Sequence, residues 1–287
     1  MIVHIGYQKT GTTFLQNAIF KNLEGVQYYE YGHCRKIFLP FVKSTTLEFD
    51  KKKYVSLLDQ SDKALYSYEG LVGSLGVGTY NTEIAYRLKD VGFKKVMITI
   101  RRQTSMLESV YKQYIHDGGV LKPHKYFAED SLFFKWSFLD YYSLIMHYVD
   151  LFGRKNVLIN LQEDLLRNAE NVITQIVEFT NAGSINESDE QSKNVSLTTA
   201  SVQVMRILNH MTYNFYRPSH LITRKISSEK VRGVLEVTLD PVVRKLGSGK
   251  KRVIPKKYID KANQLYKKNN ALLDKEFELG MEAYNYY

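Results

Sequence analysis

The first twenty residues, MIVHIGYQKTGTTFLQNAIF, constrain the fold more than any other stretch of the chain. A short apolar run from Ile2 to Ile5 ends at Gly6, and a polar loop rich in Gly and Thr follows it. From Thr13 the apolar residues recur at helical spacing, so the pattern predicts a strand, a tight loop and a helix packed on a sheet. Gly11 lets such a loop approach an anion closely, where backbone N–H groups and the helix N-terminus attract negative charge.

The spacing of Gly6, Gly11 and Thr13 is close to the nucleotide-binding pattern GxxxxGK[ST], with one departure. Thr12 stands where that pattern has its lysine, and Lys9 lies three residues earlier. A lysine moved into the loop suits an anion geometry other than that of ATP on magnesium. The alternative is an ordinary strand–turn–helix connection, in which Gly and Thr serve only the turn and the helix cap.

A second candidate anion site follows the clearest strand of the sequence. The run Val96–Ile100 is apolar on both faces, as in a buried parallel strand, and a helix is expected from near Thr104. The strand delivers Arg101 to its C-terminal end, and Ser109 follows eight residues later. A guanidinium with a hydroxyl can hold a phosphate dianion. A surface ion pair is the alternative interpretation of the arginine.

The two stretches "YQKTGTT" and "RRQTSMLESVY" resemble the 5′-phosphosulfate loop and the 3′-phosphate motif of the sulfotransferases that use 3′-phosphoadenosine 5′-phosphosulfate (PAPS). That family shows Lys-[Ser/Thr]-Gly-Thr-Thr after its first strand, then Arg at a strand end with Ser eight residues on and an aromatic residue after it. The resemblance covers roughly residues 1–200 in discontinuous pieces. It implies an α/β, P-loop-like, three-layer fold with a central, mostly parallel sheet flanked by helices, and a bacterial, carbohydrate-acting type.

The resemblance also implies roles for particular residues, with PAPS as co-substrate and 3′-phosphoadenosine 5′-phosphate (PAP) as product. Lys9 would be catalytic, reaching the bridging and sulfonate oxygens. The donor-binding set would be Lys9, Thr10, Gly11, Thr12, Thr13, Phe14, Arg101 and Ser109. Phe14 could equally belong to the helix core. Transfer of this kind needs no metal, and the sequence has no metal-ligand spacing.

The general base is the least determined of these roles. Ala64–Tyr68 is typical of a strand, and functional groups gather at the carboxyl ends of strands in open α/β sheets. Glu69, which ends this strand, is therefore a candidate, with a surface carboxylate as its structural alternative. The resemblance to the sulfotransferases, which implies a base at this place in the fold, makes it the first candidate. Glu30, His33 and His116 stay open as bases, because reach to the acceptor proton comes before pKa.

The rest of the chain predicts alternating elements in one domain of 287 residues with a helical part from about residue 200. The region Glu24–Lys53 is interpreted as a variable excursion. Glu163 and Asp164 are expected at a helix start. The residues before a helix from Thr198 (Lys193, Asn194, Ser196) and the basic run 247–252 could contact the cofactor or form a simple cap and a solvated turn. The predicted helices and strand are Thr82–Lys89, Ser137–Phe152, Val157–Leu161 and Ala169–Thr180.

A formal net charge of +10 points to an anionic partner, such as nucleic acid, an acidic membrane surface, an acidic glycan or a phosphorylated cofactor. The single cysteine, Cys34, excludes an intramolecular disulfide and a cysteine zinc cluster. We expect a soluble, cytoplasmic protein with no transmembrane segment, whose basic face could rest on a membrane.

The expected reaction is sulfuryl transfer to an acceptor hydroxyl, on a glycan or glycolipid, and a sterol or other small alcohol is the rival acceptor. Two other classes remain as alternatives. A P-loop nucleotide kinase or NTPase would have lysine in place of Thr12 and a carboxylate strand for magnesium. A nucleic-acid-binding protein would show a recognition motif or a basic stripe, and neither is visible in the sequence.

Overall fold

The computed structural model describes residues 1–186, 197–212, 227–245 and 252–287. Five strands form one sheet in the order β2-β3-β1-β4-β5, and all four neighbouring pairs are parallel. Helices flank this central sheet, which confirms the predicted α/β class. The strands are β1 (Ile2–His4), β2 (Gln27–Tyr29), β3 (Ala64–Ser67), β4 (Lys95–Ile100) and β5 (Val157–Leu161).

Helices connect and follow these strands. None of the described helices combines the length and the apolar character that crossing a bilayer requires. The helices are α1 (Thr12–Phe14), α2 (Tyr31–Lys43), α3 (Lys51–Leu57), α4 (Asn81–Asp90), α5 (Gln103–His116), α6 (Pro123–Tyr126), α7 (Tyr141–Phe152), α8 (Gln162–Arg167), α9 (Ala169–Thr180), α10 (Thr199–Leu208), α11 (Ser228–Val237), α12 (Leu239–Lys245) and α13 (Lys256–Phe277).

The chain forms two compact units, each built from separate stretches. Unit 1 comprises residues 1–102, 136–192 and 265–287 and contains the whole sheet. Unit 2 comprises residues 103–135 and 193–264, and its described part is helical. The single-domain organisation expected from the sequence stays a prediction.

The central strands are apolar because helices of unit 1 cover the sheet. All three residues of β1 are buried, as are Val96–Ile100 of β4. The segment after the first loop begins as α1, continues as a π-helix (Leu15–Ile19) and ends in a 3-10 turn (Phe20–Asn22). Its inward face joins a core cluster with strand and α9 residues: Ile2, Leu15, Ala18, Ile19, Phe20, Leu23, Leu65, Met97, Leu165, Val172 and Ile176.

Two sequence-based assignments are wrong. Gln27–Tyr29 is not part of an irregular excursion but forms β2, at the sheet edge, where it pairs with β3 alone. An edge strand with exposed and half-buried side chains carries no apolar run, so the sequence hides it. The helix expected over Ser137–Phe152 is interrupted: a 3-10 turn comes first, and Asp140 then caps α7 by accepting a hydrogen bond from the Ser143 N–H.

A polar rung crosses the centre of the sheet. His4 of β1 is fully buried, with Nδ1 2.8 Å from Ser67 Oγ of β3 and Nε2 2.9 Å from Thr99 Oγ1 of β4. Gln16 donates to the same Ser67 hydroxyl at 3.0 Å. Burial lowers the pKa of His4 to about 3, so the ring is neutral near neutral pH. The rung therefore joins three strands directly beneath the first loop without burying a charge.

Candidate active site

The loop after β1 is held by hydrogen bonds at its base. The Tyr7 N–H donates to the Thr99 carbonyl at 3.0 Å, so pairing with β4 continues beyond the strand. Thr10 is fully buried, and its hydroxyl donates to the Tyr7 carbonyl at 2.5 Å. Lys9 and Gly11 have left-handed φ angles of 71° and 84°. A turn of this kind directs successive N–H groups towards one point.

The N–H groups at the end of this loop are available to a ligand. Gly11 is the N-cap of α1, and the first N–H groups of a helix have no intrahelical acceptor. Those of Gly11, Thr12 and Thr13 have no acceptor within the ranges that the structure describes. Thr13 is exposed, whereas Thr12 is buried. The loop thus presents a positive backbone surface suited to an anion.

Arg101 brings the second predicted motif to this loop. Its Nη1 donates to the Lys9 carbonyl at 3.2 Å, and its own carbonyl accepts from the Tyr141 hydroxyl at 2.7 Å. The guanidinium is half-buried, and burial lowers the pKa of Arg101 while the Glu163 charge opposes that shift. Among the described residues no carboxylate lies within ion-pair distance of Arg101. A partly desolvated cation without such a partner favours a bound anion.

Glu163 fixes the end of β4 from the first turn of α8, which confirms its expected place at a helix start. Its Oε1 accepts from the Arg102 N–H at 3.1 Å, and its Oε2 accepts from the Tyr286 hydroxyl at 2.9 Å. Tyr284 donates to the next carboxylate, Asp164. No local motif marks these two tyrosines, and the tyrosine-rich stretch 284–287 is the signal in the sequence that could have indicated them.

Glu69 follows β3 and lies against the loop after β1. Its Oε2 accepts from the Thr12 hydroxyl at 2.5 Å, and the carboxylate is half-buried at the start of a 3-10 turn, Glu69–Val72. The pKa of Tyr31 on α2 is raised, mainly by burial and next by the negative charge of Glu69. The phenol of Tyr31 and the carboxylate of Glu69 therefore influence each other. A carboxylate thus lies beside the N–H groups that are open to an anion.

The other candidate bases occupy different surroundings. Glu30 is exposed and pairs with Lys21 at 3.7 Å. His33 is exposed, and its ring centroid lies 5.1 Å from that of Tyr29. His116 ends α5 in unit 2. The structure therefore gives a direct hydrogen bond to the loop for Glu69, and the choice of base stays a prediction.

Ser109 and Phe14 are the remaining residues that the sequence predicted to bind the donor. Ser109 is half-buried on α5 in unit 2, whereas Arg101 belongs to unit 1, so their joint phosphate site stays a prediction. Phe14 is half-buried against the core cluster of unit 1, which fits its alternative as a helix-core residue. Thr198 caps α10 by accepting from the Ser201 N–H. The expectations for Lys193, Asn194, Ser196 and residues 247–251 lie outside the described residues.

Two glutamines near the loop were missed from the sequence. The Gln8 side chain donates to the Gly73 carbonyl at 3.3 Å and so ties the loop to the turn that follows Glu69. Gln162 Nε2 of α8 would lie 3.9 Å from a Cβ atom placed on Gly11. Both pairs of residues lie far apart in the sequence, and no local pattern indicates that they are neighbours.

Within the described ranges, no group of three or more His, Cys, Asp or Glu side chains is arranged to hold a metal ion. The strand end that a magnesium-dependent kinase would give to a carboxylate carries Arg101 and Arg102 instead. The site offers an anion the guanidinium of Arg101 and the open backbone N–H groups of the loop, with the Glu69 carboxylate beside them.

No protein-family model and no curated protein sequence matches this chain. Among solved structures, it is similar to a sulfotransferase from Alicyclobacillus acidocaldarius, with 14% sequence identity, a TM-score of 0.49, and coverage of 67% of this chain and 85% of that one. It is also similar to a mouse sulfotransferase complexed with PAP, with 15% identity, a TM-score of 0.35, and coverage of 80% and 74%. At these levels the similarities establish neither family nor function.

Proposed function

We propose that this protein is a PAPS-dependent sulfotransferase that moves a sulfuryl group to an acceptor hydroxyl on a glycan or glycolipid. The observation that supports this most is the contact between the two motifs. Arg101 donates to the carbonyl of Lys9, so a second cationic group stands at the loop whose N–H groups are open to an anion. A donor with a 5′-phosphosulfate and a 3′-phosphate needs two such groups.

In the proposed site, the N–H groups of residues 10–13 bind the 5′-phosphate, and Arg101 with Ser109 binds the 3′-phosphate. Phe14 contributes to the adenine site. The hydroxyls of Thr10 and Thr12 already donate to Tyr7 and Glu69, so these two residues would bind the phosphate through their backbone N–H groups. The hydroxyl of Thr13 is exposed and can donate.

The proposed reaction is an in-line displacement. The acceptor oxygen forms a bond to sulfur while the bond from sulfur to the bridging oxygen breaks, and PAP leaves with the electron pair. Glu69 takes the acceptor proton, and Lys9 stabilises the negative charge that develops on the bridging oxygen. The Thr12 hydroxyl orients the Glu69 carboxylate for this step.

Donor binding is tested by calorimetric titration with 3′,5′-ADP (PAP). We expect saturable binding that weakens about 10-fold or more in Lys9→Ala and in Arg101→Ala, because each removes a charge-assisted contact to phosphate. Lys52→Ala, an exposed lysine of α3, is the matched control and should bind as the parent does. No binding of this nucleotide by the parent protein would refute the proposed function.

Acceptor class is tested with labelled PAPS and a panel of glycans, glycolipids, sterols and phenols. Label on the glycan or glycolipid hydroxyl supports the proposal in full. Label on a sterol or another small alcohol would keep sulfotransfer and overturn the acceptor assignment.

The base is tested with Glu69→Gln, which keeps the size of the side chain and removes its basicity. We expect normal affinity for 3′,5′-ADP and a turnover lower by about 10²-fold or more. Turnover equal to that of the parent would move the base to another residue.

A further inference from the structure

Unit 2 contains a cavity of about 410 Å³ that is lined by none of the residues assigned to the donor or to the base. It lies among α5, the short helix α6, α10 and the first turn of α13. Six of its lining side chains are basic or aromatic: Tyr111, Lys122, His124, Arg206, Lys257 and Tyr258. The volume is that of a site for a small organic molecule.

The lining is cationic. Lys122, Arg206 and Lys257 face the cavity together with the imidazole of His124, and the described residues that line it include no Asp or Glu. Two acidic residues of unit 2 are already neutralised elsewhere. Asp260 accepts from Lys256 at 2.7 Å, and Glu129 pairs with Lys261.

Arg206 is the strongest single indicator of a ligand. It is half-buried on α10, and within the described part of the chain it makes no hydrogen bond and no ion pair. It lines the same cavity as Tyr111, and its charge lowers the pKa of that phenol against the larger, raising effect of burial. A half-buried guanidinium of this kind is stabilised when an anion binds to it.

Two tyrosines give the cavity rigid aromatic walls. The hydroxyl of Tyr111 donates to the Leu121 carbonyl at 2.8 Å, which fixes a ring that is 2% exposed. Lys257 Nζ lies 5.0 Å from the ring centroid of Tyr258. Because that ammonium also lines the cavity, cationic and aromatic surfaces alternate around one space.

We infer that this cavity binds an anionic sugar residue, a pyranose that carries a carboxylate, sulfate or phosphate. The cationic groups select the anion, and the buried rings of Tyr111 and Tyr258 give the cavity a fixed wall against which a sugar-sized ligand can rest. The amide of Gln203, which also lines the cavity, can bond to hydroxyls. An inorganic anion alone would leave most of this volume unfilled. The inference does not depend on sulfotransfer, since binding needs no donor.

The test is calorimetric titration of the full chain at constant ionic strength with glucuronate, glucose phosphate, galactose sulfate, neutral glucose and inorganic sulfate. We expect saturable binding of at least one anionic sugar, with glucose and inorganic sulfate at least 10-fold weaker. Arg206→Gln and Lys257→Gln should each weaken that binding about 10-fold or more, the loss expected for a hydrogen bond between charged groups. The comparison of the three anionic sugars identifies the acidic group that the cavity accepts.

Two control variants separate binding in this cavity from a general effect of positive charge and from binding at the donor loop. Lys268→Gln removes the same charge from an exposed position further along α13 and should bind as the parent does. Lys9→Ala should also bind as the parent does, because its side chain belongs to the donor loop. Lys257 is exposed, so its variant tests the site even if Arg206→Gln lowers stability. Binding unchanged in both cavity variants, lost in Lys9→Ala or equally strong for inorganic sulfate would overturn the inference.

Discussion

At the scale of single residues, Thr12 and Glu69 are the pair that joins the loop to the proposed chemistry. Thr12 occupies the position at which a nucleotide-binding P-loop has lysine, and the structure shows what the hydroxyl does there: it donates to Glu69 Oε2 at 2.5 Å. A lysine in that place would instead pair with the carboxylate. Threonine in place of lysine at position 12 and the position of the Glu69 carboxylate are therefore linked by this hydrogen bond.

The first prediction concerns this hydrogen bond. Thr12→Val keeps the shape of a buried side chain but removes the donor, so we expect turnover to fall about 10-fold or more while binding of 3′,5′-ADP stays near that of the parent. Thr12→Ser keeps the hydroxyl and should retain most of the activity. Steady-state kinetics with PAPS measures both, and equal rates for the valine variant and the parent would contradict the orienting role.

The second prediction concerns His4, whose folded-state pKa is lowered to about 3 by burial. An unfolded histidine titrates near 6.5, so between these two values the unfolded state binds the extra proton. The stability contribution of neutral His4 is complete above the unfolded pKa and is lost as the pH falls towards 3. Its slope is about 1.4 kcal/mol for each pH unit within that window.

Urea unfolding at a series of pH values below about 6.5 measures this slope. His4→Gln removes the titrating group and should flatten the pH dependence by that amount, whatever it does to stability at neutral pH. Parallel curves for the parent and the variant would show that the buried ring is not responsible.

At the scale of elements, the turn after β3 shapes the site as much as the loop itself. Gly73 follows the 3-10 turn that starts at Glu69, and its φ and ψ of 88° and −172° lie in a region that only glycine occupies readily. A Cβ atom there would come within 2.6 Å of backbone atoms of Gly78 and Thr79. The carbonyl of Gly73 receives the Gln8 hydrogen bond, so this turn and the loop support each other.

The third prediction compares two glycines of these elements. Gly73→Ala combines backbone strain with a clash against backbone, and we expect it to lower the free energy of unfolding by about 3 kcal/mol or more. Gly11→Ala carries strain alone, because its Cβ atom would meet nothing closer than 3.9 Å, and it should cost about 1 to 2 kcal/mol. Chemical denaturation measures both, and equal losses would contradict the argument.

The sequence predicted the elements with a clear apolar pattern well and those without one poorly. β1, β4 and β5 are detectable because buried parallel strands are continuous apolar runs. β2 is not, since its three residues are exposed or half-buried and form no apolar run, whereas β5, at the opposite edge, is mostly buried. In the site, the local motifs predicted Lys9, Arg101 and Glu69, and the structure shows Arg101 bonded to the Lys9 carbonyl and Glu69 bonded to Thr12. Contacts such as Gln8 with Gly73 depend on how distant segments meet, which no local pattern encodes.

At the scale of the whole molecule, the formal net charge of +10 favours the approach of an anion such as the proposed donor. A positive field raises the association rate of an anion, and salt screens that field over about 10 Å at 0.1 M. This effect belongs to the protein as a whole, because it sums over charges far from the loop.

The fourth prediction follows from that field. The association rate constant of 3′,5′-ADP, measured by stopped flow, should fall about 10-fold between roughly 0.05 and 0.5 M salt. Adenosine carries no charge and serves as the control, since its association should change little. A rate constant for the nucleotide that does not respond to salt would show that the net charge plays no part in donor capture.

The position of β1 between β3 and β4 also has a consequence for synthesis. β1 precedes both of its partners, which begin at Ala64 and Lys95, so the backbone groups along its second edge stay unpaired while nearly a hundred residues are added. Translation adds about 5 to 20 residues each second, so this interval lasts at least several seconds. The loop after β1 therefore gains its contact with Arg101 only when that residue has left the ribosome. A chain released earlier would expose an unpaired strand edge, which favours aggregation.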